Sequence, residues 1–195
     1  PGFRDFRMNE LKELLGKFDL DGIWMDYVHW HAQFEEPEPI LPETCFCDNC
    51  IRTFETATGI DVPDLAAKER ADWILSGHDS LWRDWRCSVI AGWVSETRNI
   101  IKKDNPDALL GIYHCPWDDT EYDGARRRIL GLDYDMLKDL TDVFSPMVYH
   151  GRMGRSAEWV GENIEWFCTR LEVKTGELPK VWPIVQAYDD PEVIS

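Results

Sequence analysis

Two short stretches concentrate the residues able to do chemistry. Asp21-Gly22-Ile23-Trp24-Met25-Asp26-Tyr27 ends an apolar run on a carboxylate, and Cys45-Phe46-Cys47-Asp48-Asn49-Cys50 brings three thiols close together. A carboxyl at the end of a buried strand is expected to be partly desolvated. That condition shifts a pKa and lets the group act as acid, base or nucleophile near neutral pH. Asp26 is therefore the first catalytic candidate, and the plainer alternative is an aspartate that caps a loop or pairs with an arginine.

Three more apolar runs end in polar and aromatic residues: Tyr113-His114-Cys115-Pro116-Trp117-Asp118-Asp119, Tyr149-His150 and Gln186-Ala187-Tyr188-Asp189-Asp190. Four of the five histidines, His29, His31, His114 and His150, fall in or beside these tips, which points to one shared site. Glycosidic hydrolysis needs a second carboxyl, at ~5 to 5.5 Å for retention or ~6.5 to 9.5 Å for inversion. Asp118 and Asp189 are the chosen partners of Asp26, with Asp119 and Asp190 beside them. For any one of these the plainer role is a helix cap or Asx turn. Tyr27, His29, His114, Trp117, Tyr149, His150, Gln186 and Tyr188 are the expected substrate-binding residues.

The thiols of Cys45, Cys47 and Cys50 are too close in sequence to pair comfortably among themselves. The spacing suits tetrahedral zinc completed by a fourth ligand, with Cys87, Cys115, His29 or His31 as candidates, or by one from outside the chain. Such a closed site reads as a structural staple and not as the catalyst. Inert buried thiols are the plainer alternative. A reduced triplet argues against a disulfide framework and leans towards a cytoplasmic setting. No organic cofactor is expected.

The elements that must hold these residues alternate. Helical periodicity over 11–17, 80–103, 133–140 and 158–173 leads each time into an apolar run, at 20–27, 108–114, 142–150 and 181–188. Helix-strand alternation implies parallel strands with right-handed crossovers. The runs lack strict apolar-polar alternation, so both faces are expected to be covered. No glycine-rich phosphate turn follows any of them, which favours a (β/α)8 TIM barrel over an open nucleotide-binding sheet. Four units make half a barrel. Residues 1–195 thus read as the central-to-late strands of one catalytic barrel with a Cys-rich loop insertion at about 29–79, its other strands supplied by a longer chain or a partner. Pro146 and Pro183 each remove a ladder donor and mark bulges or strand starts.

The charge is −16, from 21 basic and 37 acidic residues. This disfavours nucleic acid and anionic membrane surfaces as partners. No apolar run reaches the ~18–20 residues that span a bilayer. Ten Trp, six Tyr and eight Phe fit a heavy core or a saccharide-stacking cleft, with Trp24, Trp30, Trp117 and Tyr188 as stacking faces. Trp73, Trp82, Trp85 and Trp93 fall at helical spacing and read as packing residues. Arg126-Arg127-Arg128 reads as a solvated helix face. A homo-oligomer is left open.

The strand ending in an acid, the segment Cys45-Phe46-Cys47-Asp48-Asn49-Cys50-Ile51-Arg52-Thr53-Phe54, the Trp-rich helix around Trp82 to Trp93 and Asn105-Pro106 together resemble glycoside hydrolase barrels. The cysteine loop is similar to that of the family 42 β-galactosidases, where a CxCxxC segment just after the acid/base strand ligates structural zinc. The resemblance implies Cys45, Cys47 and Cys50 as zinc ligands. It does not carry over the acid/base, because the family strand ends Asn-Glu and this one reads Met25-Asp26-Tyr27. The expected activity is hydrolysis of a neutral oligo- or polysaccharide through paired carboxylates. The competing expectations are a metal-dependent hydrolase or deacetylase using His29, His31, His114 and Asp26, and a non-catalytic carbohydrate-binding barrel.

Overall fold

The apolar runs pair side by side in a parallel sheet. The computed structural model describes residues 2–187, in the order α1 (Gly2–Leu15), β1 (Gly22–Met25), α2 (Asp48–Thr58), α3 (Ala67–Gly77), α4 (Asp79–Asp104), β2 (Leu109–His114), α5 (Glu121–Arg128), α6 (Tyr134–Leu137), β3 (Val143–Val148), α7 (Glu158–Arg170), β4 (Lys180–Val181) and β5 (Ile184–Val185). β1 pairs with β2 and β2 with β3, each in parallel. β4 and β5 both pair with β3 in one register, Val143↔Lys180 and Met147↔Ile184, so they are two halves of one strand. The break falls at Trp182-Pro183, where proline has no N–H to give the ladder. Pro146, by contrast, stays inside β3 opposite His114.

Spatial order follows chain order without a switch point, and the sheet is open among the described residues. The mixed α/β fold with a parallel sheet agrees with the sequence reading; closure into a barrel is not seen. The expected helix at 133–140 shortens to the single turn α6, capped where the Asp133 side chain accepts the Asp135 N–H. No helix among the described residues is long and apolar enough to cross a membrane.

The two faces of the sheet differ. Leu110 and Ile112 point to the helix side and are fully buried with Val94, Ile101 and Phe167. On the other face Gly111 leaves room for Trp24: a Cβ there would come within 2.2 Å of Trp24 Nε1. The indole crosses β2, donates to Ser145 Oγ on β3 at 3.1 Å and stacks on Trp182, with 5.8 Å between centroids. One layer of side chains therefore bridges all the strands.

Asp142, just ahead of β3, fixes the register from beneath. Its side chain is 2% exposed, and its two oxygens meet Arg98 at 2.8 Å, Lys102 at 3.0 Å and the Leu110 N–H at 2.9 Å. The arginine run is not a solvated face. Arg126 is buried, donating to Leu132 O and Asp119 and lying over the Tyr134 ring. Arg127 pairs with Asp84 and Asp133, and Arg128 with Glu43. Carboxylates and carbonyls converging from neighbouring segments draw these charges inward, which helical periodicity alone could not show.

A second apolar cluster gathers Ile51, Phe54, Val62 and Ile74 around Trp82 and Trp85 at the start of α4. It packs α2 and α3, the helices within the Cys-rich stretch, against that helix. Phe46 stacks on Trp82 at 4.8 Å and Phe54 meets the same ring edge-on. The rest of α4, through Ile90, Val94 and Ile101, belongs to the sheet core.

Candidate functional site

The carboxyl ends of β1, β2 and β3 open into a cleft of about 500 Å³. Asp26, His29, the loop acids Glu35 and Glu36, Tyr113, Tyr149 and Arg152 line it. Asp26 follows β1 directly. Its Oδ1 accepts the N–H of Tyr27 at 2.9 Å, and Tyr27 itself adopts the left-handed conformation at φ 52°. A non-glycine residue there costs about 1 kcal/mol or more and is characteristic of functional turns. Contrary to the expected desolvation, Asp26 is exposed. The reason is its strand: β1 is paired on one side only, so nothing in the described residues covers the carboxylate from the other.

His29 is half-buried. Its Nδ1 lies 2.7 Å from Trp30 O, and since a carbonyl can only accept, Nδ1 carries the proton and Nε2 the lone pair. Burial lowers its pKa below the usual histidine value against opposing contributions from the Trp30 hydrogen bond, Asp26 and Glu35, so the ring is neutral at pH 7. Phe34 contacts the ring edge-on at 5.5 Å and Tyr27 lies at 6.0 Å.

Glu35 and Glu36 were not among the sequence candidates. Arg152 clamps both, Nη1 to Glu35 Oε2 at 2.7 Å and Nη2 to Glu36 Oε1 at 2.9 Å. Gln186 is buried behind the clamp: its Oε1 accepts the Arg152 N–H at 3.1 Å, and it packs against Gly151. The signal of Glu35 and Glu36 in the sequence is the adjacent pair of acids in the loop that follows the Asp26 strand, away from any strand tip.

The other sequence candidates lie elsewhere. Asp118 is turned into its own loop, where Oδ1 accepts from Thr120 N, Thr120 Oγ1 and Glu121 N. His114 points to the helix side and is fully buried against Tyr134, Phe144 and Phe167, its Nδ1 2.8 Å from Cys115 O. Burial, helped by Arg126, lowers its pKa to about 3 against the pull of the Cys115 hydrogen bond. Its neighbour Tyr113 takes the cleft side, because successive strand residues face opposite ways. Trp117 is 2% exposed and packs behind Phe34 at 6.0 Å, so it backs the cleft instead of walling a subsite. His150 lies beside the cleft lining, with its backbone in the turn that carries Arg152. Tyr188 and Asp189 fall outside the described residues. With His114 on the opposite face, the quartet His29, His31, His114 and Asp26 is not assembled as a metal site.

The thiols do assemble. The sulfurs of Cys45, Cys47 and Cys50 lie within 4.8 Å of one another, and drawing in by up to about 1 Å would bring them to the ~3.8 Å of tetrahedral zinc–thiolate geometry. Cys47 sits at the N-terminus of α2, where the N–H of Cys50 first, then the Cys45 thiol, lowers its pKa. Burial and the neighbouring thiols push that of Cys50 well up. A cation would relieve that mutual repulsion. Cys87 and Cys115 are buried elsewhere, and no fourth Cys, His, Asp or Glu joins the group among the described residues.

Fold and cleft define the class: an α/β domain on a parallel sheet, with a candidate site at the carboxyl ends of its strands. Among solved structures the chain is similar to the glycoside hydrolase domain of PgaB (BpsB) from Bordetella bronchiseptica, with 11% identity and a TM-score of 0.63. The match covers 88% of this chain and 45% of that one, so the chain spans less than half the length of its solved neighbour. The likeness is one of glycoside-hydrolase-like fold and does not extend to the family 42 cysteine loop. No protein-family model and no curated protein matches the chain.

Proposed function

We propose that the chain forms part of a (β/α)8 glycoside hydrolase domain that cleaves a neutral oligo- or polysaccharide in the Asp26 cleft. The observation that carries this reading is the position of the cleft. Asp26, His29 and the rings of Tyr27, Phe34, Tyr113 and Tyr149 converge where parallel α/β folds place their chemistry. Aromatic rings offer an apolar surface to a pyranose face, and the Nε2 lone pair of His29 is suited to accept a hydroxyl proton. Three carboxylates against one guanidinium make the lining net negative, which disfavours anionic sugars. The test is reducing-end release from a panel of neutral glycans by the full-length protein. Binding without release would instead support a non-catalytic carbohydrate-binding barrel.

Zinc at Cys45, Cys47 and Cys50 is the second part of the reading, supported by the clustered sulfurs. It would tie the loop to the start of α2 and supply folding energy, with no part in bond cleavage. Stripping the metal is expected to lower the melting temperature by roughly 5–10 °C, the effect of about 2.7 kcal/mol of binding linkage in a domain of this size. Cys47→Ser should lose the metal and show the lower melting temperature without chelation. Scanning calorimetry together with elemental analysis checks both.

A further inference from the structure

We propose that Glu35 is the second catalytic carboxyl of the cleft, working as the base while Asp26 works as the acid. The inference rests on the glycosidase reading and deepens it. Asp26, His29 and Glu35 line the same cleft, and both carboxylates lie close enough to His29 to act on it electrostatically. Asp118, the partner expected from sequence, is committed to its own turn.

Glu35 also has the support a catalytic carboxylate requires. Arg152 holds its Oε2 at 2.7 Å and is itself oriented by Gln186 through the backbone. The guanidinium fixes the Glu35 carboxylate in place, and Glu35 takes the base's role and Asp26 the proton donor's. In the reaction Asp26 gives its proton to the leaving oxygen as the C1–O bond breaks. Glu35 takes a proton from the attacking water, whose oxygen bonds to C1. Both carboxyls return to their starting states after proton exchange with solvent, and water is the sole co-reactant.

The experiment compares Glu35→Gln, Glu35→Asp and Glu36→Gln in the full-length protein, on a responsive glycan and on 2,4-dinitrophenyl glycosides. Loss of Glu35 should lower kcat by about 10²–10⁴-fold on both substrates, since a good leaving group does not replace a base. Glu35→Asp, which keeps the charge and withdraws it by one methylene, should also lose rate. Glu36→Gln removes the other arm of the same clamp from the same cleft and should lose at least about tenfold less rate than Glu35→Gln. Wild-type rates in Glu35→Gln, or equal losses in Glu36→Gln, would overturn the assignment. If the wild type itself releases nothing from any glycoside, the glycosidase reading falls first and takes this one with it.

Discussion

Asp26→Asn is expected to lower kcat by about 10²–10⁴-fold on glycosides with poor leaving groups, equivalent to about 3–5 kcal/mol of transition-state stabilisation, with KM little changed. Asparagine is nearly isosteric, and its Oδ1 can still accept the Tyr27 N–H that shapes the turn. The substitution therefore removes the exchangeable proton and leaves the geometry. Because Asp26 is exposed, the melting temperature should stay unchanged to within about 0.5 kcal/mol of stability. A dinitrophenyl leaving group needs no protonation, so on such a substrate the variant should recover most of its rate. Unchanged turnover on a sugar leaving group would remove Asp26 from the chemistry.

Asp142→Ala is expected to destabilise the protein by about 3 kcal/mol. That is the lower end of the range for breaking a buried ion pair, because Arg98 and Lys102 are 28% and 24% exposed and can recover some hydration. The change also strands the Leu110 N–H inside the sheet. For a domain of this length the melting temperature should fall by roughly 6–12 °C. Asp142→Asn, which keeps an acceptor for Leu110, should fall less. Burial alone would raise the Asp142 pKa. The Arg98 hydrogen bond, the Leu110 N–H and Lys102 outweigh it and hold the pKa below the usual aspartate value. A depressed folded-state pKa contributes stability that is complete above the unfolded value and is lost as pH falls through the folded one. Wild type should thus lose stability below pH 3.8 more steeply than Asp142→Ala. Urea denaturation at pH 7 and pH 3 measures both effects.

Helix and strand positions were legible in the sequence because their signals are local. The run from Ser80 to Lys103 falls within α4, and the apolar runs at 20–27, 108–114 and 142–150 contain β1, β2 and β3, with the first and third extending two residues past the strand ends. The side to which a tip residue points was not legible. A strand without polar alternation gives no sign of which parity faces the helices, and the choice of His114 over Tyr113 shows the cost. The exposure of Asp26 depends on whether a strand lies next to β1, a fact of assembly that no local pattern carries. Asp118 follows the end of β2 by four residues, and its use as a turn acceptor, which the sequence offered as the plainer role, commits its carboxylate. The Glu35–Arg152 pair joins residues far apart in sequence and belongs to tertiary geometry alone.

The 26 residues of α4 have a further consequence. At 1.5 Å per residue they form a rod of about 39 Å, with the thiol-bearing segment fastened to its first turns and the sheet to its later ones. A continuous helix offers no hinge between two bodies that share it. The thiol-bearing segment and the sheet are therefore joined through a common backbone, and whatever steadies the thiol loop is expected to steady the strands that carry the cleft.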